Sequence, residues 1–148
     1  MEIRRANMGD IPWLISAGEL AQAEAPHYTR YTPGIALQYK ALVGMLQFPE
    51  HVFIGVCGDE TGFVCGALEP TVWFAETNAV QNLLWVHPAK RGTSRAWRLV
   101  SAFEDWARAH GAARILNGVS SGLDEARVGR FYEKLGYAPL GMSYFKEL

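Results

Sequence analysis

Apolar residues recur at helical spacing early in the chain. Ile11, Leu14, Ile15, Gly18 and Ala21 to Ala25 predict an amphipathic helix over about 11–24, with Asp10 as N-cap, Pro12 in the first turn and Pro26 as the stop. Leu37, Ala41, Leu42, Met45 and Leu46 predict a second helix, opened by Thr32-Pro33 and closed before Pro49. The longest stripe is Ala96, Leu99, Val100, Phe103, Trp106 and Ala107, which predicts a helix over about 93–110 ended by Gly111. Val128, Phe131, Tyr132 and Leu135 predict a last helix, capped by Asp124 and ended by Gly136.

Between the helices the pattern becomes β-rich. Strands are predicted at 3–6, 51–57, 63–69, 79–86, 113–119 and 139–147, with a short one through Val72, Trp73 and Phe74. Gly58 to Gly62 is a turn, and Pro70 argues for an edge or bulge. The order β-α-α-β-β-β-α-β-α-β predicts an α+β domain with a mixed sheet. Strand 79–86, helix 93–110 and strand 113–119 form a βαβ unit, so those two strands should be parallel.

Composition narrows the class. The chain has 148 residues, 49% of them hydrophobic, and a net charge of −1. These values fit one folded domain over 1–148 and argue against disorder. There is no global positive excess to suggest nucleic-acid binding. No apolar run reaches the ~18 residues that span a bilayer, and the N-terminal Met-Glu-Ile-Arg-Arg lacks a secretory pattern. Cys57 and Cys65 are too few for a disulfide framework, so reduced thiols and a cytoplasmic location are expected. The four histidines have no metal-ligand spacing.

Charge matters locally. The segment from Val86 to Ala96 joins a predicted strand to a predicted helix start. Lys90, Arg91, Arg95 and Arg98 fall within nine residues with no acid among them, and Gly92, Thr93, Ser94 and Ala96 are small. The first N–H groups of a helix lack internal partners and favour an anion. Either a diphosphate cradle or a solvated basic helix start would produce this pattern. It is neither a nucleotide-kinase loop nor a dinucleotide fingerprint.

Here the chain resembles the GNAT superfamily of N-acetyltransferases, which use acetyl-CoA. That family carries Arg/Gln-x-x-Gly-x-Gly/Ala at this junction, and this chain has Arg91-Gly92-Thr93-Ser94-Arg95-Ala96 with Ser94 in place of the central glycine. Val86-His87-Pro88, Ile3-Arg4-Arg5-Ala6 with Asp10, and Phe131-Tyr132-Glu133-Lys134-Leu135-Gly136-Tyr137 are similar to three further family motifs, in the same order. The resemblance spans about the whole chain and looks most like small bacterial or phage-borne members. It implies a mixed central sheet flanked by about four helices, with a βαβ core that holds acetyl-CoA.

The resemblance also implies roles. The cofactor would lie against Trp85, Val86, Lys90, Arg91, Gly92, Thr93, Ser94, Arg95 and Ala96, with a backbone N–H near Trp85-Val86 facing the developing oxyanion. Tyr132 matches the family's proton donor near the sulfur. A lysine-type amine, with a pKa near 10.4, must lose a proton before it attacks. Relatives often place a Glu on the strand matching 79–86, where this chain has Gln81 and Asn82. Glu69 is the nearest carboxylate for that task, Glu76 and His87 stand behind it, and water relayed by Gln81 is an alternative. The acceptor, a small-molecule or peptide amine, would sit where the first two helices cover the sheet, near Tyr28, Tyr31, Gln81, Trp73 and Phe74. Relatives often carry Asn seven residues before the tyrosine, where this chain has Glu125. Homodimers are common among similar proteins. A non-catalytic acyl-CoA-binding or sensory module on the same fold is the competing reading; nucleic acid, membrane and metal are not expected partners.

Overall fold

The computed structural model describes residues 1–148. Its elements are β1 (Ile3–Arg5), α1 (Ile11–Glu24), α2 (Ile35–Leu46), β2 (Val52–Cys57), β3 (Gly62–Pro70), β4 (Thr77–Val86), α3 (Arg95–Ala109), β5 (Arg114–Asn117) and α4 (Glu125–Lys134). Single 3-10 turns precede α1 and follow β4. The five strands form one mixed sheet in chain order: β1 to β4 are antiparallel, and β4 pairs with β5 in parallel. The βαβ unit read from the pattern is therefore present.

The two sheet faces carry separate cores. On one, Leu14 and Ala17 of α1 pack with Ile54, Val56, Phe63 and Trp85, and Leu42, Met45 and Leu46 of α2 close over them. On the other, Leu99, Phe103, Trp106 and Ala107 of α3 pack with Phe53, Cys57, Val64, Ala79 and Val86. Full burial of such side chains contributes about 1.5–3 kcal/mol each. Gly66 of β3 lies under α3, where a Cβ would stand 2.4 Å from the Phe103 ring and 2.5 Å from the Val80 carbonyl.

Two helices end in the same way. At the end of α3, Gly111 and Ala112 donate to the carbonyls of Arg108 and Ala107; at the end of α4, Gly136 and Tyr137 donate to those of Glu133 and Tyr132. Both glycines have positive φ, +77° and +91°, so each helix stops in a Schellman turn. The Lys-Leu-Gly-Tyr run is thus a helix terminator with a physical cause.

The structure corrects several expectations. Residues 71–76 form no strand; Val72, Trp73 and Phe74 are exposed in the β3–β4 connection, which Thr71 closes by hydrogen bonds with Phe74. Residues 139–147 also form no strand; side-chain contacts such as Arg30 with Glu147 and His27 with Phe145 tie this segment to the loop after α1. Without a ladder, its alternating pattern has nothing to pair with. Helix α2 starts at Ile35 behind Gly34, so Thr32 is not its cap, and Leu37 faces solvent. Asp10 does not cap α1: its carboxylate takes Arg4 at 2.7 and 2.8 Å and the Asn7 N–H at 2.8 Å, while Asn7 caps the preceding turn. Asp124 stands before α4 in the left-handed region, with φ +45°, and makes no side-chain cap; the Glu125 carboxylate accepts the Gly122 N–H instead. Helix α3 begins two residues later than expected, and β5 ends two residues earlier.

Candidate active site

The site begins with a bulge. Cys65 pairs with Leu83, but Gly66 pairs with Gln81, so Asn82 is an extra residue in β4. Simple alternation would put residues 81, 83 and 85 on one face. The bulge breaks that: Trp85 and its partner Phe63 face α1, whereas Gln81 shares the α3 face with its partner Gly66. The parallel ladder joins Asn78–Gln81 to Arg114–Asn117 and then stops. Beyond the last rung, Gln81 with Asn117, residues 82–86 of β4 have no strand on that side. On that side the strand edge faces an open gap, where the Val86 carbonyl is taken by the Arg91 Nε.

Tyr132 of α4 reaches the last rung. It is 6% exposed, and its hydroxyl accepts a hydrogen bond from the Nε2 of Gln81, itself 5% exposed. The Gln81 Oε1 and the Asn117 Nδ2 are buried and unpartnered. Asn117 is on the same face as Gln81, because the rungs run in register and Ile115 already packs on the α3 side. Burial pushes the Tyr132 hydroxyl above its ordinary value of 10.0, and the Gln81 hydrogen bond opposes that shift. Asn117 was not among the residues singled out from the sequence, and no spacing around it marks it.

At the other end of the gap, the 91–96 loop leads into α3. Gly92 has φ +80° with nothing near its missing side chain. Ser94 has helical angles, and its hydroxyl makes no cap. The first backbone bond inside the helix is Arg98 N–H to the Ser94 carbonyl, so the N–H groups of residues 92 to 97 have no protein acceptor. Six consecutive free donors at a helix start are an arrangement that favours an anion.

The basic side chains behave differently from the expectation. The Arg91 Nε donates to the Val86 carbonyl at 3.0 Å, and its terminal nitrogen pairs with Glu24. Glu24 also accepts the Trp85 indole N–H at 2.9 Å. Arg95 donates to Thr61 at 2.7 Å and to Asp59 at 2.6 Å. Arg98 donates to the Met1 carbonyl at 3.1 Å. Of the four cations only Lys90 has no partner, and it is exposed. The arginines brace the loop, and the backbone supplies the open donors. Glu24, Asp59 and Thr61 were missed in the sequence, because each acts through a contact made more than thirty positions along the chain.

The remaining candidates are spread out. Glu69 is exposed at the end of β3, paired with Asn78, on the α1–α2 face. It lies three residues, about 10 Å, along the strand from Gly66. The Tyr28 hydroxyl is bonded to the Ser120 Oγ at 2.8 Å, which ties the loop after α1 to the loop before α4. The Tyr28 and Tyr31 rings lie 6.4 Å apart, and Gln22 donates to both their carbonyls. Trp73, 85% exposed, and Phe74 stack on no other ring. A cleft of about 300 Å³ opens between α1 and the end of β4, lined by Leu20, Ala23, Glu24, Trp85, His87 and Pro88. No three His, Cys, Asp or Glu side chains are placed to hold a metal, and no helix is long and apolar enough to cross a membrane. Both cysteines are free thiols, and burial pushes Cys65 up to about 11.

Comparison with known proteins agrees with this geometry. The family model for the acetyltransferase (GNAT) family matches residues 12–137. No curated protein matches the chain in sequence. Among solved structures, a candidate acetyltransferase of Arthrobacter sp. FB24 superposes with TM-score 0.80 at 24% identity, over 100% of this chain and 96% of that one. Glucosamine-6-phosphate N-acetyltransferase of Arabidopsis thaliana does so with TM-score 0.76 at 16% identity, over 99% and 97%. An acetyltransferase of Trypanosoma brucei gives TM-score 0.74 at 17% identity, over 99% of each. These likenesses extend the fold over the whole length, and the family model covers the gap, the loop and Tyr132 together: the chain belongs to the GNAT family of acetyltransferases.

Proposed function

We propose that the chain moves the acetyl group of acetyl-CoA to a primary amine by direct attack. The observation that carries this reading is the run of free N–H groups at 92–97 beside an open β4 edge that ends at Tyr132. Residues 92–97 would take the diphosphate through the backbone, with Lys90 adding charge and Arg91 and Arg95 holding the loop in shape. The unpaired edge of β4 at 82–86 would take the extended arm, with a backbone N–H near Trp85-Val86 facing the carbonyl oxygen. Acetyl-CoA, when bound, supplies an activated thioester.

Tyr132 would protonate the departing sulfur. It is buried, its proton is not spent on any protein acceptor, and its raised pKa keeps it protonated at working pH. Glu69 lies on the α1–α2 face, the side on which the amine is expected, and would take the amine's proton through solvent. Tyr28 and Tyr31 would contact the acceptor; Gln81, expected beside them from the sequence, is turned to the α3 face against Tyr132. An N-acetyltransferase among the similar structures supports an amine acceptor. The reduced thiols accord with a cytoplasmic protein.

The test is release of free CoA from acetyl-CoA with a mixed panel of polyamines, amino acids, aminoglycosides and peptides. Amine-dependent release is expected. Tight binding of acetyl-CoA with no release by any amine would favour the acyl-CoA-binding reading, which the lack of a carboxylate at Gln81 and Asn82 supports.

A further inference from the structure

We propose that Gln81 is a positioning residue that aims the proton of Tyr132 into the gap beyond the last β4–β5 rung. This deepens the acetyl-transfer reading and rests on it.

A phenol has one proton to give and lone pairs to share. Gln81 donates its Nε2–H to the Tyr132 oxygen, so one lone pair is filled from β4. An amide nitrogen cannot accept in return, so the Tyr132 proton points elsewhere. No other protein acceptor takes it. Gln81 Oε1 and Asn117 Nδ2 are also unfilled, so one buried rung carries a free phenolic proton, a free acceptor and a free donor. Buried polar groups left open in this way are destabilising. A ligand in the gap that offers complementary atoms would recover that cost.

In the reaction the amine nitrogen forms a bond to the acetyl carbon as the carbon–sulfur bond breaks. Tyr132 gives its proton to the sulfur, which leaves with the bonding pair. The amine's extra proton passes to solvent, and solvent returns one to Tyr132. Between those events the phenolic oxygen is negative, and the Gln81 N–H already touching it stabilises the charge. Gln81 touches neither reacting atom in this role. The Asn82 bulge makes it possible by turning residue 81 to the face on which α4 delivers Tyr132.

The experiment uses protein labelled with carbon-13 at tyrosine Cζ. The Tyr132 resonance is the one absent from Tyr132→Phe. Gln81→Leu should move that resonance and raise its titration midpoint by about one pH unit, the scale of one hydrogen bond to a charged oxygen. In CoA-release kinetics, Gln81→Leu should lower kcat about tenfold and leave KM for acetyl-CoA within about twofold. Gln81→Glu keeps the shape and, assayed at a pH where it is ionised, offers only acceptors; there it should draw the Tyr132 proton back and lower kcat at least as far. Gln81→Leu added to Tyr132→Phe should cost nothing further. Gln81→Met repeats the test if the leucine variant does not fold. An unmoved resonance, wild-type kcat in Gln81→Glu, or full additivity with Tyr132→Phe would overturn the proposal. If the wild-type protein releases no CoA with any amine, the acetyl-transfer reading fails, and the resonance still decides whether Gln81 sets the Tyr132 proton.

Discussion

The side-chain amide of Gln81 donates to the hydroxyl of Tyr132, fifty-one positions further along the chain, inside a buried seam between the sheet and the last helix. That bond joins the two halves of the βαβ-α region at the point where β4 and β5 part.

Loss of that proton should be costly. Tyr132→Phe keeps the ring and its packing against Phe131 and Tyr137. We expect kcat to fall about a hundredfold, with KM for acetyl-CoA nearly unchanged, the pattern of a lost proton donor. Because burial raises the Tyr132 pKa above 10.0, the donor stays protonated through neutral and mildly alkaline pH. The rate should therefore climb with pH as the amine loses its proton, with no fall due to Tyr132 below its ordinary value. A falling limb near neutrality that vanishes in Tyr132→Phe would contradict this.

The loop before α3 should be sensitive through its backbone. Gly92 has φ +80° and open space around it, so alanine there meets a conformational penalty and no clash. Gly92→Ala should cost about 1 kcal/mol of stability and weaken acetyl-CoA binding severalfold. Titration calorimetry with CoA, alongside a thermal melt, checks both. Unchanged affinity would mean that the free N–H groups are not the binding site.

Gly66 should be intolerant for a different reason. Its φ is ordinary, but a Cβ would meet the Phe103 ring at 2.4 Å and the Val80 carbonyl at 2.5 Å. One contact is backbone, so the strand pair itself must shift. Gly66→Ala should destabilise by about 1–3 kcal/mol and lower Tm by roughly 5 °C. Activity should fall as well, because Gly66 is the partner of Gln81 across the bulge.

Acid should loosen the start of the chain. The Arg4 guanidinium holds the Asp10 carboxyl below its ordinary 3.8, with help from the Asn7 N–H and against the effect of burial. The folded pKa is the lower one, so this contribution is whole above 3.8 and is lost as pH falls through the folded value. Asp10→Asn should be less stable at pH 7 by about 1–2 kcal/mol and should show a flatter decline in acid. Denaturant melts between neutral pH and about pH 2 measure the difference between the two curves.

Much of the fold was legible because its signals are local. The stripe at residues 99, 100, 103, 106 and 107 is the α3 core seam, and the glycines at 111 and 136 stop their helices as expected. The strand–helix–strand order over 79–119 was enough to predict a parallel pair. Strand pattern alone failed at 72–74 and 139–147, where no neighbouring strand offers hydrogen bonds.

By itself the sequence determined which segments are helical, which loop opens α3, and that a tyrosine sits on the inner stripe of the last helix. Each follows from spacing within a few turns of chain. Only the tertiary structure decided what those parts do together. A single extra residue at Asn82 reverses the strand's facing, so Gln81 meets Tyr132 while Trp85 turns to Glu24. Glu24 and Asp59 claim two of the loop's arginines, so the free donors there are backbone N–H groups. Side-chain direction after a bulge and pairing across long separations depend on register, and register is set by the whole sheet rather than by any one strand.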